Sequence, residues 1–255
     1  MNELKLYEEM VRLTRQNEPF CLATVINHGG SSPRKAGAKM LIRSDGSTLG
    51  TIGGGRVEKD TLMAARQILD SGESRTLEFV LNEENGFACG GRMSIFVERS
   101  GRRPLLVMFG AGHVGRAVSS LAHNCGFRVI VVDDRSEYAT YDLLPDANQI
   151  ICAGIDDAFR ELPLDSKSFV VIATPGHVTD FAAVRGCLGT DAGFIGLLGS
   201  RRKRDTLLAT LEQEGLDSEK LRRIVTPVGM AIGAETPEEI AVSIVGQLIA
   251  VRKGL

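Results

Sequence analysis

The stretch Leu105-Leu-Val-Met-Phe109-Gly110-Ala111-Gly112-His113-Val114-Gly115 decides how the chain reads. Its five apolar residues predict a buried strand, and the glycines at 110, 112 and 115 lead into a helical pattern over Val114–Asn124. In such a strand–turn–helix unit the first glycine permits the tight turn. The second lets backbone N–H groups approach a phosphate, and the third lets helix and strand pack closely. The positive end of the helix favours the anion. Asp133 stands 23 residues after Gly110, at the end of a second apolar strand, Arg128–Val132. A carboxylate there accepts both hydroxyls of an adenosine-type ribose. Asp134 and Arg135 follow it, and Arg135 would instead face a 2′-phosphate, as in an NADP site. The pattern predicts a nucleotide-binding Rossmann unit. The competing reading is a Rossmann fold that uses the loop only for packing.

Outward from this unit the chain keeps alternating. Gln149–Cys152, Phe169–Ala173 and Gly193–Leu198 are further apolar runs, separated by helical stretches such as Val178–Leu188 and Arg201–Glu214. Such alternation predicts an α/β fold with a parallel sheet covered by helices on both faces. Ligands of open α/β sheets lie outside the carboxyl ends of the strands. Two more loops are therefore expected to line the crevice: Thr174-Pro175-Gly176-His177 and Gly199-Ser200-Arg201-Arg202-Lys203. His113 and His177 would face it, with His177 the candidate acid/base; ordinary loop hydrogen bonding is the alternative for both. Arg201–Arg204 reads equally as a solvated face. The last helix is marked by Thr236 as N-cap, Pro237 in its first turn and Glu239 completing a capping box. Ile240, Ile244, Leu248 and Val251 form its expected buried stripe.

The polar stretch Ser100-Gly-Arg-Arg-Pro104 divides this Rossmann-like region, 104–255, from a smaller α+β domain, 1–100. In the latter, Glu3–Gln16 places Leu6, Met10 and Leu13 at helical spacing. Phe20–Asn27 and Lys39–Arg43 read as strands around a loop, His28–Pro33; Thr76–Leu81 and Arg92–Glu98 read as two more. Gly53-Gly54-Gly55 opens a helix over Arg56–Ser71 with Val57, Leu62, Ala65 and Ile68 or Leu69 inward. Three glycine-rich loops result. Ser31, Ser32 and Arg34 bring hydroxyls and a guanidinium to the first. The second places amides before a helix N-terminus, with Glu58 in the first helical turn. Either loop reads as an anion cradle or as tight-turn geometry, and Glu58 is also explained by dipole compensation. In the third, Cys89 sits between small residues beside Gly90 and Gly91, where backbone N–H groups lower a thiol pKa and favour a soft metal or sulfur transfer.

Composition narrows the function classes. The 255 residues are 43% hydrophobic and 24% charged, which is globular, and 30 Lys+Arg against 32 Asp+Glu gives −2. That balance, and the lack of aromatic residues interleaved with the basic cluster, argue against nucleic acid as a partner. No run is long and apolar enough to span a membrane, and no signal-peptide core is present, so a cytoplasmic protein is expected. The five cysteines, at 21, 89, 125, 152 and 187, form no C-x-x-C pair. A disulfide framework or zinc site is not expected, and Cys21, Cys125, Cys152 and Cys187 read as buried small hydrophobes.

Nine short segments, in order, resemble the XdhC/CoxI family of molybdenum-enzyme accessory proteins: Gly29–Arg34, Gly37–Ile42, Ile52–Glu58, Ala88–Gly91, Phe109–Gly115, Val131–Arg135, Thr174–Asp180, Ile195–Lys203 and Thr226–Ala241. The resemblance covers nearly the whole chain. It implies a chaperone, not a turnover enzyme, that binds the molybdenum cofactor, supports its sulfuration and delivers it to an apo-molybdenum hydroxylase such as xanthine dehydrogenase. It makes Cys89 the candidate contact to molybdenum or its sulfur. It makes Gly53–Gly55, Ser31, Ser32 and Arg34 candidates for the cofactor's phosphate or pterin, and it implies a homodimer and a cysteine desulfurase as partners. Many relatives have Thr-His near Thr174, where this chain has Thr174-Pro175-Gly176-His177, and some carry a cysteine where this chain has Arg56. Molybdopterin ends in a phosphate or a nucleotide, so cofactor and crevice are compatible, and NAD(H) fits the same fingerprint. The N-terminal glycine loops are expected to face the crevice. An NAD(P)-dependent oxidoreductase and a nucleotide-sensing regulatory module remain alternatives.

Overall fold

The computed structural model describes residues 3–82 and 90–255. The chain divides into two compact units, Met1–Arg102 and Arg103–Leu255.

The first unit is built on a five-stranded antiparallel sheet of order β3-β2-β1-β5-β4. Its strands are β1 (Phe20–Gly30), β2 (Lys39–Arg43), β3 (Thr48–Gly50), β4 (Arg75–Leu81) and β5 (Gly91–Ser100). The two-residue alternation of β1 sends its side chains to opposite faces. Phe20 and Leu22 pack with Leu6 and Leu13 of α1 (Glu3–Arg15). Cys21, Ala23 and Val25 pack with Val57, Ala65 and Ile68 of α2 (Gly55–Ser71). Gly72 ends α2 in the left-handed conformation, φ 80°, its N–H returning to the Ile68 carbonyl. The sequence pattern ends β1 at Asn27, but the strand continues through His28–Gly30. A bulge between Val25 and Asn27 shifts the register and lets these residues pair with Gly91–Met93 of β5.

The second unit is a six-stranded parallel sheet of order β11-β10-β9-β6-β7-β8 with helices on both faces. The strands are β6 (Leu105–Phe109), β7 (Arg128–Val132), β8 (Gln149–Ile151), β9 (Phe169–Ile172), β10 (Phe194–Leu197) and β11 (Ile224–Val225). All five residues of β6 are buried, as a central strand covered on both faces requires. One face is closed by α3 (His113–Asn124) and α8 (Pro237–Lys253), the other by α4 (Ile155–Glu161), α5 (His177–Leu188) and α6 (Arg201–Gln213), with the one-turn α7 (Ser218–Leu221) leading into β11. The capping box at the start of α8 is complete: Thr236 Oγ1 accepts from the Glu239 N–H, and Glu239 Oε2 accepts from the Thr236 N–H. Ile244 and Leu248 face the core with Ala241 and Val245, whereas Val251 is 40% exposed. In that last turn Arg252 lies inward instead, its guanidinium 4.8 Å over the Phe127 ring and donating to the Cys125 carbonyl. At the amino ends of the strands, Arg223 donates to the carbonyls of Leu188, Thr190 and Ala192, closing the end of α5.

No helix among the described residues is long and apolar enough to cross a membrane.

Candidate functional site

Strand order reverses between β6 and β9: the chain steps outward from β6 to β7 and β8, then returns to the other side of β6 as β9. A crevice opens at the carboxyl ends there. It is a cavity of about 330 Å³ lined by Gly110, Asp133, Asp134, Arg135, Thr174, Pro175 and Gly176, among others.

The glycines of the first turn do different work. Gly110 has φ 104°, and a Cβ there would stand 2.3 Å from the Ala173 carbonyl oxygen. A Cβ on Gly115 would stand 1.9 Å from the Gly110 oxygen. Both are steric necessities of the fold. Gly112 is different: it is the N-cap of α3 with φ −69° and ψ −173°, and a Cβ there meets no atom within 4 Å. The fold does not need a glycine at 112, and the space above its backbone is open. His113, the first residue of α3, is exposed, and Val114 packs partly against the core.

Asp133 is buried and its acceptors are filled. Oδ1 takes the Arg135 N–H at 3.0 Å and Nε at 2.8 Å; Oδ2 takes the Ala111 N–H and Arg135 Nη2, each at 2.7 Å. Burial pushes this carboxyl up, but the Arg135 guanidinium and the two amides outweigh it and hold its pKa below the ordinary range. The expected ribose acceptor is thus engaged by its own neighbour. Asp134 is exposed beside it.

In the β9 loop, Thr174 donates through both N–H (3.0 Å) and Oγ1 (2.7 Å) to Asp180 Oδ1. The other oxygen of Asp180 pairs with Lys203 Nζ, which also donates to the Leu198 carbonyl at 3.0 Å. Asp180 is fully buried. This pair ties the β9 loop to the β10 loop. Lys203 is therefore engaged inside the protein, contrary to its expected place beside a ligand anion. Sequence reasoning missed the pair, although both residues lie in the segments it singled out; their mutual approach is a tertiary fact. Ser200 caps α6 by accepting from the Lys203 N–H, behind Gly199, while Arg201 is exposed. Gly176 is the N-cap of α5, its carbonyl accepting from Thr174 Oγ1 and Thr179 Oγ1, with no side-chain cap on the first amides; Pro175 and His177 are exposed, and the His177 ring stands edge-on to Phe181.

In the first unit the glycine loops converge. The Ser31 N–H donates to the Gly90 carbonyl at 2.7 Å, and a Cβ on Gly91 would strike the carbonyl oxygens of Gly29 and Ser31. A Cβ on Gly53 would strike Pro33. Ser32 Oγ donates to the Arg34 carbonyl, and Arg34 lines a small cavity with Glu3, Tyr7 and Lys39. The amides before α2 already hold an anion. Glu58 Oε1 accepts from Thr51 Oγ1 at 2.5 Å, Gly54 N–H at 3.0 Å and Ile52 N–H at 3.1 Å. Burial raises the Glu58 pKa, but these donors outweigh it and lower it overall. Glu58 thus points into its own loop, beyond the dipole compensation expected of it. Cys89, the expected metal contact, lies outside the described residues.

Of the other cysteines, Cys21 and Cys187 are buried, which pushes their thiols up to about 11 and about 12. Cys152 is exposed rather than buried, because it follows the last residue of edge strand β8 at the loop that leaves the sheet. Among the described residues no cluster of three His, Cys, Asp or Glu side chains is placed to hold a metal ion.

Comparison with known proteins agrees with this architecture. A model described as the XdhC Rossmann domain matches residues 106–248, and one described as the XdhC and CoxI family matches residues 13–80. The uncharacterized protein YqeB of Escherichia coli (strain K12) is 36% identical over 254 residues, 98% of this chain but 46% of its own length. The chain thus spans about half of that relative. The molybdenum cofactor insertion chaperone PaoD of the same organism is 22% identical, covering 91% of this chain and 83% of its own. A crystal structure from Bacillus halodurans described as a xanthine dehydrogenase is 25% identical with a TM-score of 0.57, covering 97% of this chain and 95% of that one. The chain belongs to the XdhC and CoxI family.

Proposed function

We propose that the protein is an accessory protein of molybdenum hydroxylases that carries the molybdenum cofactor to an apo-enzyme such as xanthine dehydrogenase. The observation that carries this reading is the crevice between β6 and β9, lined by Gly110, Asp133, Arg135 and Gly176, next in the chain to an amino end of α3 where a Cβ on Gly112 would meet no atom within 4 Å. Amides at Gly112 and His113 and at Gly176 and His177 would grip the terminal phosphate of the cargo. In the first unit, Ser31, Ser32, Arg34, Gly53–Gly55, Gly90 and Gly91 are proposed by themselves as loops for a second ligand, with Cys89 as the candidate thiolate toward molybdenum or its sulfur. The likeness to PaoD, named as a cofactor insertion chaperone, supports the cargo assignment. Sulfuration on the protein, with a cysteine desulfurase as donor, and a homodimeric state belong to the same reading.

The test is purification from cells that make the cofactor, followed by molybdenum and pterin assays. Near-stoichiometric pterin and molybdenum in the wild type, lost in Gly112→Leu with the fold intact, is the expected result. A wild-type protein that retains neither overturns the proposal.

A further inference from the structure

We propose that Arg135 turns the ribose end of the crevice into a phosphomonoester site that rejects an unphosphorylated vicinal diol. The inference rests on the reading of the crevice between β6 and β9 as the ligand site.

A carboxylate offers about four lone-pair positions, and Asp133 uses them on four donors, three of them from Arg135. A ribose diol brought to this point meets an acceptor that is already full. To bind it, Arg135 would give up two charge-assisted hydrogen bonds and the face of Tyr138, over which its guanidinium lies at 3.9 Å. The same geometry suits a phosphate. A guanidinium has five N–H groups, and the bonds to Asp133 use one on Nε and one on Nη2. Arg135 lines the cavity, and its three remaining N–H groups leave donors for phosphate oxygens without disturbing Asp133. Asp134 opposes an anion here, and the amino ends of α3 and α5 offset it. The ligand class is thus a dianionic phosphomonoester. Its sources are the 2′-phosphate of a dinucleotide or the terminal phosphate of a pterin.

Titration of the cofactor-free full chain with NADP+, NAD+ and a synthetic pterin phosphomonoester tests this. NADP+ should bind at least about tenfold more tightly than NAD+, the worth of one charged hydrogen bond. Arg135→Ala, by freeing Asp133, should abolish or invert that ratio, while Arg135→Lys should keep part of it. Binding of the pterin phosphomonoester alone, weakened in Arg135→Ala, supports the site and assigns it to the pterin source. Equal wild-type affinities for NADP+ and NAD+, a ratio unmoved in Arg135→Ala, or no binding of any probe overturns the inference. If such a protein still retains pterin and molybdenum on purification, the accessory role stands and only the assignment of Arg135 falls.

Discussion

Lys203 and Asp180 form a buried ion pair, 13% and 1% of their side chains exposed, across the gap between the loops that follow β9 and β10. The pair also fixes Thr174, whose N–H and hydroxyl share the other Asp180 oxygen. Removing one partner strands the other charge in the interior. Lys203→Met should lower stability by about 3–5 kcal/mol. The double variant Lys203→Met/Asp180→Leu should recover much of that loss, as read by chemical denaturation. Equal instability in single and double variants would show that the pair is not what couples these loops.

Two glycines of one turn should respond in opposite ways. Gly115→Ala puts a methyl group 1.9 Å from the Gly110 oxygen and should destabilise by several kcal/mol, as overpacking against immovable backbone does. Gly112→Ala meets no atom within 4 Å at an ordinary φ, so it should change stability by no more than about 1 kcal/mol. It should nevertheless weaken ligand binding. Thermal unfolding alongside pterin retention separates the two effects.

Acid stability should carry the mark of Glu9. Its carboxylate is held by Arg12 and Arg43, which lower its pKa from the ordinary 4.5 to about 2. A depressed folded-state pKa stabilises the protein fully above the unfolded value and loses that contribution as the pH falls through the folded one. The loss therefore runs from about pH 4.5 down to about pH 2. Glu9→Gln should flatten unfolding free energy against pH across that interval and leave its slope at neutral pH unchanged.

Thiol labelling at neutral pH should distinguish the cysteines. Cys21 and Cys187, buried and shifted upward, should stay unreacted until unfolding. In a Cys89→Ser background, Cys152 should supply the fast-reacting fraction, and Cys152→Ser should abolish it. Persistence of that fraction would assign it to the partly exposed Cys125 and overturn its assignment to Cys152.

The backbone of the second unit is legible in the sequence because its signals are local. The apolar run Leu105–Phe109, the spaced glycines and the Thr236–Glu239 box each act within a few residues. The short strands β3 and β11 are not comparably legible, because two or three residues carry no period, whereas the three-residue β8 falls within the apolar run Gln149–Cys152. The extension of β1 through His28–Gly30 is hidden because two glycines erase the alternation, and only the partner strand β5 reveals it. The family and the crevice were readable from motif order. Which carboxylates would be free was not. Asp133 and Glu58 both read as groups at or near a ligand, and each is engaged by donors of its own chain, as is Asp180 at the end of the Thr174–Asp180 segment. Those pairings depend on side-chain approach in three dimensions, and motif spacing does not record it.

Arg223, with its three carbonyl acceptors, lies at the opposite pole of the sheet from Gly112. That pole is riveted by Arg223, and the other by Lys203 and Asp180, around which His113 and His177 are exposed at the rim. At the carboxyl pole the fasteners are thus buried and the candidate recognition groups exposed, so the two are separated by depth. Substitutions at the exposed rim positions His113 and His177 can therefore accumulate without touching the fasteners at either pole, so what the rim recognises can vary while the sheet keeps its shape.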